Sequence, residues 1–380
     1  MTRHPAFANA HSHVFHRALR ARVTGGDDFW GWRERMYGVA AVLDPDLLHD
    51  LAVATYAEMR LAGIGVVGEF HYLHHGPDGR PYDDPNATGE ALIAAARAAG
   101  LRICLLDACY RASGFGSAPQ GVQRRFADPD VDAWAARVAE LARRHRGADD
   151  VVVGAAIHSV RAVPPADLAG VAAALPEAPL HAHVSEQPAE NADCVAATGR
   201  TPTALLAESG ALTSRTTAVH ATHLTGTDVA ALGDAGSYVC LCPTTEADLA
   251  DGIGPAARLR DAGARLTLGS DGQTVIDPFV EARAVEMGER LTSGRRGSFD
   301  AVALTEAATR TGYGSLGFDP ALADADAFEL RTDTVRTAGA TEPLWAATAA
   351  DVEPPQDLAY GPDEVAVLMR KAVGAVWERV

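Results

Sequence analysis

The sequence predicts an α/β fold of the (β/α)8, or TIM barrel, kind, and three observations predict it. Short apolar runs recur eight times, Ala/Leu/Arg-rich stretches of helical spacing separate them, and histidines and carboxylates gather where the runs stop. The runs are 6–13 (AFANAHSH), 64–72 (IGVVGEFHY), 102–110 (RICLLDACY), 151–159 (VVVGAAIHS), 179–186 (PLHAHVSE), 216–223 (TTAVHATH), 237–245 (SYVCLCPTT) and 265–271 (RLTLGSD). Near-continuous apolar strands belong to parallel sheets covered by helices, and eight strand–helix units close into a barrel. An open doubly wound sheet is the structural alternative, but no G-x-G-x-x-G follows the first run.

The spacing predicts helices over 87–99 (ATGEALIAAARAA) and 131–145 (VDAWAARVAELARRH). The barrel is assigned to residues 1–318 and a C-terminal appendage to 319–380. In the appendage two short strands are expected, AFELRT and PLWAAT. A terminal amphipathic helix follows over 363–380, with Val365, Leu368, Met369, Ala372, Val373 and Val376 on one stripe, to pack on the barrel or on another subunit.

Composition excludes several function classes. A chain of 380 residues, 47% hydrophobic, can bury the core of one large enzyme domain. No apolar run reaches the roughly 18 residues of a membrane span, and MTRHPAFANAHSH has no apolar core before a cleavage site, so a cytoplasmic protein without a membrane partner is expected. A net charge of -17 repels phosphate backbones and argues against nucleic acid. The five cysteines form no C-x-x-C framework and are expected to be small buried residues. Outside histidine, every positive side chain except Lys371 is Arg, which removes a Schiff-base or carbamylated lysine from the body of the chain.

The chemistry lies at the ends of the runs. His11 and His13 are two residues apart on one strand, so both side chains face the same way and can reach one ion. A lone H-x-H is weak evidence, but His183, His220 and Asp271 end the fifth, sixth and eighth runs, at the rim where barrel enzymes place their active sites. Three imidazoles and a carboxylate suit Zn2+, which lowers the pKa of a coordinated water toward neutrality.

The stretches NAHSHVFHRAL, FWGWRERMY, GEFHYLHH, AAIHSVRAV, HAHVSEQ, AVHATH and LGSD resemble the formimidoylglutamate deiminase family of the amidohydrolase superfamily, from about residue 6 to residue 300. The resemblance implies an amidohydrolase-type barrel that hydrolyses N-formimidoyl-L-glutamate to N-formyl-L-glutamate and ammonia in histidine breakdown. It implies one Zn2+ per chain on His11, His13, His183 and Asp271, and proton transfer by Glu186, His220 and Asp271. Glu186 would shuttle protons at the amidine nitrogen, Asp271 would take a proton from the attacking water, and His220 would stabilise the attacking species. The substrate's carboxylates call for the planar fork of arginine, and Arg33 and Arg161 match the family's positions, with Arg17 and Arg35 as competitors in surface or salt-bridge roles. His16, Tyr110 and His158 carry over as substrate contacts.

The chain departs from the family pattern in three places. His16 stands where some members have Gln, and Gly272-Gln273 follows the zinc aspartate where Ser-His is usual, so the substrate or the surroundings of the ion are expected to differ. The family's small β-sandwich is expected to be reduced or absent. The resulting expectation is a zinc-dependent deiminase for a small molecule bearing amidine and carboxylate groups, acting as a homodimer. Two alternatives accompany it: a related hydrolase of another carboxylate-bearing amidine, guanidine or cyclic imine in specialised biosynthesis, and a catalytically silent metal-binding relative.

Overall fold

The computed structural model describes residues 1–23, 29–354 and 358–380, with the backbone alone at 29 and 30. Strand β1 (Thr2–His4) precedes eight parallel strands: β2 (Phe7–Ser12), β3 (Ile64–His71), β4 (Arg102–Cys109), β5 (Val151–Ser159), β6 (Leu180–Val184), β7 (Thr216–His220), β8 (Tyr238–Leu241) and β9 (Arg265–Leu268). Each of the eight apolar runs contains one of them, and they pair in sequence order from β2 to β9. The register is regular along β3–β4, from Val66 opposite Arg102 to His71 opposite Asp107. Between β9 and β2 a single bridge, Ser12 to Asp271, stands in place of a ladder and brings the sheet to closure.

Helices cover the outer face, and the strands read as apolar throughout because both faces are buried. β2, β3, β6, β7 and β8 have no exposed position. The helices Ala87–Ala99 and Val131–Arg144 fall where the spacing predicts. The second begins at Asp130, whose carboxylate accepts the Ala133 N–H, and lays Trp134, Val138 and Leu141 on the barrel. The five cysteines are buried and free.

Outside the barrel a small antiparallel sheet, β1–β10–β11, joins the N-terminal strand Thr2–His4 to β10 at Phe328–Leu330 and β11 at Val352–Glu353. Thr2 pairs with Leu330 and Glu329 with Glu353. The predicted AFELRT strand is thus present in its centre, whereas PLWAAT is not a strand. Pro343 cannot donate to a ladder, and residues Pro343–Trp345 form a 3-10 turn in which the Ala346 and Ala347 N–H groups both return to the Pro343 carbonyl. The last helix, Pro362–Trp377, buries Val365, Met369, Ala372 and Val376 against its own chain. The Trp377 indole donates to the Ala18 carbonyl, so this helix braces the segment that carries His16. Among the described residues no helix is long and apolar enough to cross a membrane.

Candidate active site

His11 and His13 project from β2 into the barrel mouth, where β6 brings His183, β7 brings His220 and the turn after β9 brings Asp271. His183 Nε2 lies 3.2 Å from His11 Nε2 and 3.3 Å from His13 Nε2. Asp271 Oδ1 lies 3.4 Å from His11 Nε2 and 3.5 Å from His13 Nε2.

The outer nitrogens decide what those inner ones carry. His13 Nδ1 donates to the Phe70 carbonyl at 2.9 Å, and His183 Nδ1 donates to the His158 carbonyl at 2.7 Å. In a neutral imidazole the other nitrogen then holds a lone pair, so the Nε2 atoms of His13 and His183 face each other lone pair to lone pair. Burial pushes His11 down to about 3 and holds His13 well below the ordinary histidine value, so protonation does not relieve the repulsion. A cation does, and these four side chains are able to hold one.

His220 lies beside this group. Its Nε2 is 3.8 Å from both Glu186 Oε1 and Asp271 Oδ2, and its Nδ1 is 3.3 Å from Glu246 Oε1. Burial alone would lower its pKa, but Glu186, Glu246 and Asp271 together raise it well above the usual value. Glu246 is a member of the site that the sequence reading missed. Its carboxylate also accepts the Cys242 N–H at 2.8 Å, which fixes it at the start of the short helix Pro243–Asp248.

The backbone at the rim is unusual. Ser185, His220, Ala221, Asp271 and Gln273 all adopt positive φ, between 43° and 67°. Such conformations cost of order 1–3 kcal/mol each for non-glycine residues and persist where the surroundings enforce them, as at functional sites. Here they fall at His220, the last residue of β7, and at Asp271 in the turn after β9.

A pocket of about 870 Å3, counting its open mouth, leads to these residues. Of the residues proposed from sequence, His13, His16, Arg33, Tyr110, His158, Arg161, His183, Glu186, His220 and Asp271 line it, while His11 lies beneath in the barrel. His16 Nε2 is 3.0 Å from the Tyr72 hydroxyl. Gln123, also unforeseen, donates to the hydroxyls of Tyr37 and Tyr110 at 3.1 Å each. The competitors Arg17 and Arg35 are not in the pocket: Arg17 donates to Glu58 at 2.8 Å and Arg35 is exposed. At the position of departure from the family, Gly272 lines the pocket and Gln273 is fully buried behind it.

The arrangement can bind a cation at one group of residues and polar, anionic substrate groups at another. Arg33 and Arg161 both act electrostatically on the Tyr110 phenol, whose pKa burial pushes up. Glu190, also in the pocket, is raised to about 7 by burial and accepts the Glu186 N–H.

The sequence profile of the Amidohydrolase family matches residues 4–322. Formimidoylglutamate deiminase of Pseudomonas aeruginosa is 40% identical over 301 residues, a match covering 77% of this chain and 65% of that protein. The chain therefore spans slightly under two thirds of that relative. The 8-oxoguanine deaminase of the same organism is 28% identical over 90% of this chain and 76% of its own length. Among solved structures, an amidohydrolase from Brucella melitensis superposes with a TM-score of 0.89 at 32% identity, over 99% of this chain and 90% of that one. With its eight-stranded barrel and a family match over most of its length, this chain belongs to the amidohydrolase family.

Proposed function

We propose that the protein is a zinc-dependent deiminase that hydrolyses N-formimidoyl-L-glutamate, or a close formimidoyl amino acid, to the N-formyl product and ammonia. The observation that carries this reading is one pocket lined by His13, His183, Asp271, Glu186 and His220 together with two arginines, Arg33 and Arg161. A formimidoyl amino acid is cationic at its amidine and anionic at its carboxylates, and the pocket offers partners for both. The 40% identity to a formimidoylglutamate deiminase supports the same substrate class.

Zinc is the ion that fits. Zn2+ takes imidazole nitrogens and carboxylate oxygens at about 2.0–2.2 Å, so donors that would share it must stand within about 3–4 Å of one another. His183 and Asp271 each stand 3.2–3.5 Å from both His11 and His13. When bound, the ion supplies Lewis acidity and makes water a competent nucleophile at neutral pH. Asp271 accepts a proton from the attacking water, and His220, held by Glu246, stabilises negative charge at the attacked carbon's oxygen. Glu186 carries a proton to the nitrogen that leaves. The C–N bond breaks, ammonia departs, and the carbon keeps the oxygen of water as the formyl carbonyl. Arg33 and Arg161 clamp the carboxylates and set the amidine carbon against these groups.

Another carboxylate-bearing amidine, guanidine or cyclic imine is the second reading, favoured by one observation: Gly272 brings no side chain to the pocket wall. Ammonia release by zinc-loaded protein from formimidoylglutamate, set against a panel of such compounds, decides between them. The panel is expected to favour formimidoylglutamate, and Arg161→Lys to lower kcat/KM about tenfold or more, since the fork is lost while the charge stays. No ammonia from any member would overturn the proposal.

A further inference from the structure

At the β9–β2 seam the backbone supplies little. The His13 N–H donates to the Asp271 carbonyl at 3.1 Å and the Asp271 N–H to the His11 carbonyl at 3.0 Å. Buried side chains provide the rest. Asn9 Oδ1 accepts the Ser270 N–H at 2.8 Å, and Asn9 Nδ2 donates to Ser270 Oγ at 2.7 Å. Ser270 Oγ donates to Gln273 Oε1 at 2.7 Å, and Gln273 Nε2 donates to Ser12 Oγ at 2.8 Å and to the Asp271 carbonyl at 3.0 Å. Ser12 Oγ donates to Glu69 Oε2 at 2.7 Å, and Glu69 Oε1 accepts the Val14 N–H at 2.7 Å.

We propose that Gln273 is the positioning residue of the metal centre, its side-chain amide locking Asp271 in register with His11 and His13. The proposal rests on the metal reading above. A serine hydroxyl has one proton to give. Ser12 gives its proton to Glu69 and Ser270 gives its own to Gln273, so residue 273 has to accept from one hydroxyl and donate to the other. A glutamine amide does both, and its second N–H closes on the carbonyl of Asp271. That residue is held at φ 43° and Gln273 at φ 61°, conformations that need such enforcement. Neutral histidine also offers one donor and one acceptor. An ionised glutamate offers no donor, and methionine, of similar length, offers neither.

The consequence is a rule for residue 273 that depends on hydrogen-bonding type and not on size. Gln273→Glu and Gln273→Met are expected to weaken zinc affinity by about 10–100-fold and to change the visible spectrum of the Co2+-substituted protein, while Gln273→His stays within about threefold of the parent. The readouts are competitive zinc titration and cobalt absorption on the full chain, with no substrate present. Should Gln273→Glu fail to fold, the Met and His variants carry the test. Zinc affinity and cobalt spectrum unchanged in the Glu and Met variants would overturn the proposal, and so would a His variant as weak as the Met one. Because only metal is read, failure here leaves the deiminase reading standing. That reading fails instead if the parent protein binds metal normally and releases no ammonia.

Discussion

Two buried clusters of histidine and carboxylate lie on this barrel, and they solve the same electrostatic problem differently. At the rim, His183 Nε2 and Asp271 Oδ1 each lie 3.2–3.5 Å from the Nε2 atoms of His11 and His13. On the outer face of β3 and β4, beneath the helices Ala87–Ala99 and Val131–Arg144, lie His71, His74, His75, Asp107 and Asp128. One ligand atom each from His71, His74 and Asp107 also falls within 4.8 Å of the others, so proximity alone does not separate the two clusters. The cation separates them. Arg137 donates to both oxygens of Asp107, at 2.6 and 2.9 Å, and to Asp128 at 2.8 Å. A guanidinium already neutralises the outer cluster, whereas the rim cluster aims its lone pairs at a common point.

The largest effect expected from this contrast is in metal content. His13→Ala should lose both bound zinc and activity, because it removes one of the two histidines that β2 brings to the proposed centre. His74→Ala should keep about one zinc per chain and most of its turnover. Elemental analysis after dialysis against a weak chelator reads both. A His74 variant that lost zinc in parallel with the His13 variant, or two tightly bound ions in the parent, would remove the distinction.

Arg137→Met, next in size, tests the outer cluster. Burial alone would raise the Asp107 and Asp128 carboxyls, but for Asp107 Arg137 and His74, and for Asp128 His75 and Arg137, override it and hold both below their usual range. A depressed folded-state pKa contributes stability that is present above the unfolded value, about 3.9, and lost as pH falls through the folded value. Without Arg137 the burial cost loses its largest opposition at Asp107 and part of it at Asp128. The variant should lose about 3–5 kcal/mol at neutral pH, the scale for removing one partner of a buried pair. The gap to the parent should narrow as the pH falls, because burial raises the carboxyls in the variant and they protonate before those of the parent do. Urea unfolding at pH 7 and at pH 3.5 measures it, and a gap that widened in acid would contradict the assignment.

The same contrast explains what was legible in the sequence. The barrel was legible because strands buried on both faces are written as apolar runs, and the rim because a strand's end coincides with its last apolar residue. The run GEFHYLHH is as rich in histidine as NAHSH, yet its three histidines serve the outer cluster, since the partner Arg137 sits beyond the helix Ala87–Ala99 and β4 and no local spacing announces it. Glu246 was illegible for a similar reason: it reaches His220 across 26 residues from a six-residue helix. At 272–273 the sequence exposed a change but not its direction, because two adjacent residues in a turn with positive φ can face opposite ways. Gly272 faces the pocket and Gln273 faces the seam. PLWAAT read as a strand from its apolar content, and the position of its proline decided otherwise.

The smallest effect sharpens the rim cluster from within, by separating the groups that hold the ion from the group that moves protons. Glu186, the third residue after His183, lines the pocket with Oε1 3.8 Å from His220 Nε2, and it belongs to none of the groups of potential ligand atoms that include His11. Glu186→Gln keeps the volume and the acceptor but can neither take nor deliver a proton. It should fold normally and retain about one zinc, while kcat falls roughly 10²-fold, equivalent to about 2.7 kcal/mol on the barrier. His220→Asn should behave similarly through lost stabilisation of the attacking species, and Asp271→Asn should impair both zinc content and turnover, being ligand and base at once. The discriminating measurement is zinc content beside kcat in the same preparation. If Glu186→Gln lost its zinc yet turned over normally once the ion was restored, Glu186 would be a support for His183 and the proton would have to travel by another route. Glu190 would then be the group to examine, since its carboxyl already touches the Glu186 backbone and burial brings it to about 7, near the pH at which a shuttle works best.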